Sequence, residues 1–241
     1  MTEPTPVFVQ RDDRDGVCTL TLNRPDKLNA VNPPLFRQFR AHLDDIAANG
    51  SHLGVVVLRG AGRSFCAGHD LSEISGMGLD WLKFESMTLE LLSQLPQVVI
   101  AAVHGHCMTG GLELALAADF IVCAESASFA DTHAKWGLVP AWGGTQRLPR
   151  RVGAAKAIEI MSTCRRYNGR EAERMGLANA CFADAEFDAA LQRWTAEILA
   201  NSWHSLAANK RLIVETDGMT LHAGLAHELI RSPGSKPRNL P

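Results

Sequence analysis

The chain has 241 residues, of which 46% are hydrophobic and 21% charged, with a formal net charge of −2. That is ordinary globular composition, with room for one large domain or one domain and a small appendage. The near-neutral charge points away from nucleic acid or an anionic membrane as the main partner. No stretch approaches the roughly 18 apolar residues of a membrane span. "MTEPTPVFVQ" lacks the basic-then-apolar order of a signal peptide, so a cytoplasmic protein is expected.

The first elements read as a hairpin: "VFVQR" and "VCTLTL" are β-rich, and "DDRDG" between them is turn chemistry. Pro33 and Pro34 open a helical pattern carrying Leu35, Phe36, Phe39, Leu43 and Ile46. "GVVVLRG" (54–60) predicts a buried strand, and residues 79–95 repeat Leu and Met at helical spacing until Pro96. "QVVIAAVHG" (97–105) predicts a second buried strand, a helix follows near Gly110, and "FIVCAE" predicts a third strand. From Gly153 the chain reads as mostly helical, through "AAKAIEIMST", "REAERMG", "EFDAALQRWTAEILA" and "SLAANKRLIVETD", with Asp184 as a candidate N-cap for the third of these. Strands alternating with helices and then helices alone argue an α/β core with a helical C-terminal part. The tail "RSPGSKPRNLP" (231–241) has the composition of a disordered segment.

Six cysteines, at 18, 66, 107, 123, 164 and 181, form no C-x-x-C pair and sit mostly among apolar neighbours, as reduced core thiols do. Nine histidines show no metal-ligand spacing, so no metal site is expected.

Chemistry concentrates in "GHCMTGGLELALAAD" (105–119), where a strand ends and a helix starts at a glycine pair. Unpaired N–H groups open a helix, and glycines let a ligand approach them, which suits a developing oxyanion at Gly110. Glu113 stands one turn in, among apolar residues that favour its neutral acid and raise its pKa toward usefulness. The plainer alternative is a first-turn Glu that only complements the helix dipole. "RSFCAGHDLSEI" (63–74) offers a matching half: Ala67 and Gly68 make a tight turn that presents the His69 N–H. Two N–H groups from two loops would grip one carbonyl oxygen. The alternative there is a simple Gly turn leading into a helix capped by Ser72.

With these motifs in place, the chain resembles the enoyl-CoA hydratase/isomerase (crotonase) superfamily. The resemblance rests on "LNRPDKLNAV" (22–31), "SFCAGHDLSEI" (64–74), "VVIAAVHGHCMTGGLELALAADFIVCAESASFA" (98–130), "KWGLVPAWGGTQRLPRRVG" (135–153) and "REAERMGLAN" (170–179), in that order. It implies a spiral of repeated ββα units over residues 1–185, a C-terminal helical trimerisation region over 186–230, and the tail over 231–241. It implies homotrimers or hexamers, and acyl-CoA thioester substrates with no further cofactor. The thioester oxygen would be held by the N–H groups of His69 and Gly110, a role in which the His69 side chain takes no part. CoA contacts would come largely from backbone near Lys27, Leu28, Ala30, Ala67, Asp70 and Leu71.

Hydratases of this family usually carry two glutamates. Glu113 falls on the first, and His133 stands where the second is expected. Three readings follow. His133 replaces the acid, since a free imidazole is about one-quarter protonated at pH 7. Alternatively Asp131 supplies the carboxylate, or neither acts and the chemistry differs. Retention of the first carboxylate favours an enoyl-CoA hydratase-like reaction over double-bond migration. Isomerisation, decarboxylation, thioester hydrolysis and a non-catalytic acyl-CoA-binding homologue are the alternatives. Trp136 and Trp142 are candidates for the acyl pocket, or for core and interface packing. Arg147, Arg150 and Arg151 read as a solvated or salt-bridged lead-in to a helix. The Pro-rich tail stands where relatives usually continue with a further helix that covers CoA.

Overall fold

The computed structural model describes residues 6–73, 78–234 and 236. Six strands form one sheet in the order β1-β2-β3-β4-β6-β9. These are β1 (Val9–Arg14), β2 (Val17–Leu22), β3 (Val55–Gly60), β4 (Val98–Val103), β6 (Phe120–Ala124) and β9 (Ala180–Phe182). The β1–β2 pair is antiparallel and every later neighbour is parallel. A second, three-stranded sheet joins β5 (His106–Met108), β7 (Ser128–Ala130) and β8 (Tyr167–Asn168).

Parallel strands covered on both faces read as unbroken apolar runs, and β4, "VVIAAV", is buried at all six positions. The strand period of two sorts its residues. Val99, Ala101 and Val103 face one core with Val56, Leu58, Ile121 and Cys123. Val98, Ile100 and Ala102 face a second core with Val55, Val57 and Val122. The first core is covered by α1 (Pro33–Asn49), α2 (Leu79–Gln94) and α3 (Gly110–Leu116). The second is covered by α7 (Phe187–Leu199), through Phe187 and Leu191, and by Leu206 of α8 (Trp203–Glu215). The remaining helices are α4 (Gly144–Val152), α5 (Ala154–Thr163), α6 (Gly169–Arg174) and α9 (Leu221–Arg231).

α1 follows the predicted pattern: Asn32 caps it by accepting the Leu35 N–H at 3.1 Å, and its buried residues are the five named from the sequence. The first hairpin turns more tightly than "DDRDG" suggests. β1 runs on to Arg14, and the reversal falls on Asp15 and Gly16, both at positive φ. The three strands of the small sheet are two or three residues long, too short to show a period, and were not expected from the sequence. Asp184 opens a 3-10 turn, and Glu186 holds the N-cap position of α7. α8 starts at Trp203, earlier than read, because Ser202 caps it. A helix capped by Ser72 would fall on residues 74–77, outside the described residues. Of the tail segment, Arg231 ends α9, and the expected disorder falls mainly on 235 and 237–241, also outside them. All six cysteines are free and buried. Among the described residues no helix is long and apolar enough to cross a membrane, and no cluster of His, Cys, Asp and Glu could hold a metal ion.

Candidate active site

Two loops meet over the first core. The segment after β3 carries Cys66, Ala67, Gly68 and His69, and is tied to β5 by Cys66 N–H to His106 O (2.9 Å) and Met108 N–H to Cys66 O (3.0 Å). The second loop ends β5 and opens α3. The glycine pair there has a steric cause at each position. A Cβ on Gly111 would lie 2.3 Å from the Cys66 carbonyl oxygen, and one on Gly110 would lie 2.8 Å from the Trp142 ring. Gly68 has φ +96°, and its Cβ would come within 3.3 Å of the Gly110 nitrogen. Thr109, immediately before Gly110, has φ 53° and ψ −114°, a strained conformation of the kind that persists at functional sites. Its hydroxyl hydrogen-bonds that of Thr132 at 2.9 Å. Among the described residues, neither the His69 N–H nor the Gly110 N–H has an acceptor. Both residues line one cavity of about 600 Å³.

Glu113 and His133 open onto the same cavity. Glu113 is 3% exposed. Its Oε1 accepts the Trp142 N–H and the Gly144 N–H, each at 2.8 Å. Gly144 packs closely there: a Cβ on it would lie 3.1 Å from Glu113 Cγ. The free oxygen, Oε2, lies 3.5 Å from His133 Nε2. Burial pushes the Glu113 pKa up, and the Gly144 N–H, His133 and the Trp142 N–H pull part of the way back.

Asp131 is buried and stands on the far side of the imidazole, away from the cavity lining. Its Oδ1 and Oδ2 lie 3.0 and 3.1 Å from His133 Nδ1, and Oδ1 also accepts the His133 N–H at 3.0 Å. A carboxylate only accepts, so Nδ1 carries a proton and Nε2 is turned to Glu113. The geometry therefore brings Glu113 and His133 together and puts Asp131 behind them as the histidine's support.

Of the two tryptophans, Trp142 is buried and Trp136 is 61% exposed, and both line the cavity. Ala67 and Leu71 line it as well. Lys27, Leu28, Ala30 and Asp70 are not in its wall but adjoin that loop. The Ala67 N–H donates to Leu28 O (3.0 Å), Arg24 holds the Ala30 carbonyl (2.6 Å), and the same guanidinium reaches Asp70 (3.1 Å).

The three arginines part company. Arg150 pairs with Asp217 at 2.8 Å on the surface, as the sequence suggests. Arg151 instead donates to the carbonyls of Ala118 and Asp119, just past the end of α3 (3.1 Å each). Arg147 is no solvated lead-in: it is half-buried and donates to the Trp142 carbonyl at 2.8 Å, fixing the loop whose N–H groups grip Glu113.

Sequence reasoning missed Glu85. It lies on α2 in line with buried Thr88, Leu89 and Leu92. A carboxylate at an i, i+3, i+4, i+7 stripe otherwise buried is the signal that could have found it. It contacts His69, Trp81 and Trp142.

The enoyl-CoA hydratase/isomerase family profile matches residues 12–231. A carnitinyl-CoA dehydratase of Proteus mirabilis is 36% identical over 230 residues, covering 91% of this chain and 84% of its own. A crystal structure of an enoyl-CoA hydratase from Bacillus anthracis superimposes with a TM-score of 0.88 at 33% identity, over 93% of this chain and 89% of that one. A Thermobifida fusca structure in complex with acetoacetyl-CoA gives a TM-score of 0.83 at 27% identity, over 93% and 92%. The fold is the α/β spiral that the sequence motifs imply, and the chain belongs to the enoyl-CoA hydratase/isomerase family.

Proposed function

We propose that the protein adds water to α,β-unsaturated acyl-CoA thioesters, and removes it in reverse. The observation that supports this best is the convergence of Glu113 Oε2 and His133 Nε2, 3.5 Å apart, in the cavity that His69 and Gly110 also line. The complexes solved for a family member support an acyl-CoA ligand.

In the hydration direction Glu113 is the carboxylate and His133 the imidazolium. Glu113 takes a proton from water as its oxygen attacks C3. The electron pair of the C2–C3 double bond moves to C2 and the thioester oxygen. The His69 and Gly110 N–H groups stabilise that enolate oxygen, an effect worth about 10²–10³ in rate per donor. His133 then delivers its proton to C2. Glu113 is left protonated and His133 neutral, and their adjacency lets one proton pass back to reset the pair. Proton transfer and enolate stabilisation complete the cycle without a metal or redox cofactor.

The exposed side chains of α9 support self-association. Leu221, Leu225, Leu229 and Ile230 are each more than half exposed, and no residue of that helix is buried. A trimer, or a hexamer of two trimers, would cover them. Light scattering on the purified protein gives the subunit count, and a monomer would reject that part.

The test of the reaction is loss of enoyl-thioester absorbance with crotonyl-CoA, together with chromatographic analysis of the product. Glu113→Gln is expected to lower kcat by about 10²–10⁴. Equal rates in the two proteins, or a product lacking the added water, would overturn the reading.

A further inference from the structure

Glu85 lies outside the cavity wall and is fully buried, with no exposed surface. Its Oε1 accepts the Trp81 indole N–H at 2.7 Å and lies 2.8 Å from His69 Nε2. Its Oε2 accepts the Trp142 indole N–H at 3.0 Å. An indole nitrogen only donates, so both oxygens must act as acceptors. A buried carboxylate is costly, and an apolar side chain of similar size often serves stability as well. What the carboxylate provides is a fixed place for the two side chains it grips in the cavity wall.

Those two side chains adjoin the donors assigned to the oxyanion. His69 carries one of the N–H groups on its own backbone. Its ring meets the Trp142 ring edge-on, with centroids 4.5 Å apart. The Trp142 ring presses on Gly110, where an added Cβ would come within 2.8 Å of it. The backbone of Trp142 donates to Glu113. The His69–Trp142 pair therefore adjoins both donors and Glu113, and one buried carboxyl group holds that pair.

We propose that Glu85 is a positioning residue for the oxyanion hole, acting through the His69 imidazole and the Trp142 indole to hold the His69 and Gly110 N–H groups at a common oxygen. This gives the His69 side chain a part in catalysis beside that of its backbone. The proposal rests on the oxyanion reading of those two N–H groups.

The test compares binding of acetoacetyl-CoA and of CoA, by calorimetry, with turnover of crotonyl-CoA. Glu85→Gln keeps shape but turns an amide NH₂ toward a donor. It is expected to weaken acetoacetyl-CoA while leaving CoA affinity unchanged, and to lower kcat by about 10²-fold, the scale of a misplaced reacting geometry. Trp142→Phe keeps an aromatic side chain but deletes the indole N–H and shortens the contact with Gly110. It is expected to act in the same direction, with the double variant no worse than the more impaired single, as coupled residues behave. A wild-type preference for acetoacetyl-CoA that Glu85→Gln leaves intact would overturn this proposal alone. Equal weakening of both ligands would do the same, by showing a general structural effect. Should Glu85→Gln fail to fold, Trp142→Phe and His69→Ala carry the test, and an intact preference in both overturns the proposal. Wild-type protein that binds the two ligands alike would overturn the oxyanion reading itself.

Discussion

His133 Nε2 faces Glu113 Oε2 at 3.5 Å while Asp131 closes on the other ring nitrogen at 3.0 Å. The three residues form a line in which the histidine is the middle member. Each end constrains it differently: Asp131 fixes the tautomer and ring plane, and Glu113 Oε2 stands opposite the other nitrogen. Two backbone N–H groups occupy Glu113 Oε1, so only Oε2 is left to exchange protons. The site thus turns one carboxylate oxygen and one ring nitrogen toward each other.

Asp131→Asn tests that line. An asparagine can turn its NH₂ to Nδ1, which moves the ring proton to Nε2 and gives the wrong tautomer toward Glu113. With the residues in the proposed roles, kcat/KM rises with pH as Glu113 ionises, above the ordinary carboxylate range because burial raises its pKa. The expected result for Asp131→Asn is a kcat reduced by about 10²–10⁴. His133→Ala should lose at least as much. A kcat of Asp131→Asn matching the wild type would remove Asp131 from the mechanism.

Much of this site is visible in the amino-acid order, and the reasons differ by residue. Gly110 and Glu113 are legible because strand, glycine pair and helix follow one another within a few residues. The support is not legible because it comes from distant segments. Trp142 and Gly144 reach Glu113 across 29 and 31 positions, and Trp142 reaches Glu85 across 57. Asp131 is two residues from His133, yet a spacing of two does not say whether a carboxylate stands beside a histidine in the pocket or behind it. In the fold, the long apolar strands and α1 announce themselves by period, whereas β5, β7 and β8 are held by pairing partners rather than by any pattern of their own.

Glu113 also predicts a conflict between stability and activity. A carboxyl whose folded pKa is raised destabilises the fold increasingly as pH climbs from the unfolded value through the folded one, because the unfolded chain releases its proton first. The raised pKa of Glu113 is of this kind, with burial as its main cause. Glu113→Gln keeps an oxygen for the Trp142 and Gly144 N–H groups and removes the buried charge. Thermal unfolding at pH 8 should place its Tm above the wild type, by about 2–4 °C if the relief is near 1 kcal/mol. The gap should narrow as pH falls toward the ordinary carboxylate range. A lower Tm at pH 8 would show that the ion pair with His133 outweighs the cost of burial.

Asp119 and Lys210 pose the corresponding question away from the site. Lys210 of α8 reaches Asp119 at 2.7 Å, and Asp119 also accepts the Val99 N–H at 2.8 Å, so the pair fastens the C-terminal helices to β4. Burial shifts both groups toward their neutral forms, raising the Asp119 pKa and lowering that of Lys210, despite their attraction for each other. Such a pair adds little over apolar packing, yet breaking one side of it strands the other's charge, at about 3–5 kcal/mol when fully buried. The Asp119 side chain is 24% exposed, so Lys210→Met should lose less than that, read as a lower urea midpoint at unchanged m-value. Adding Asp119→Asn keeps an acceptor for Val99 and removes the stranded charge, so the double variant should recover most of the loss. If Lys210→Met unfolds at the wild-type midpoint, the pair does not hold α8 to the sheet. If instead the two substitutions simply add, their coupling through the ion pair is absent.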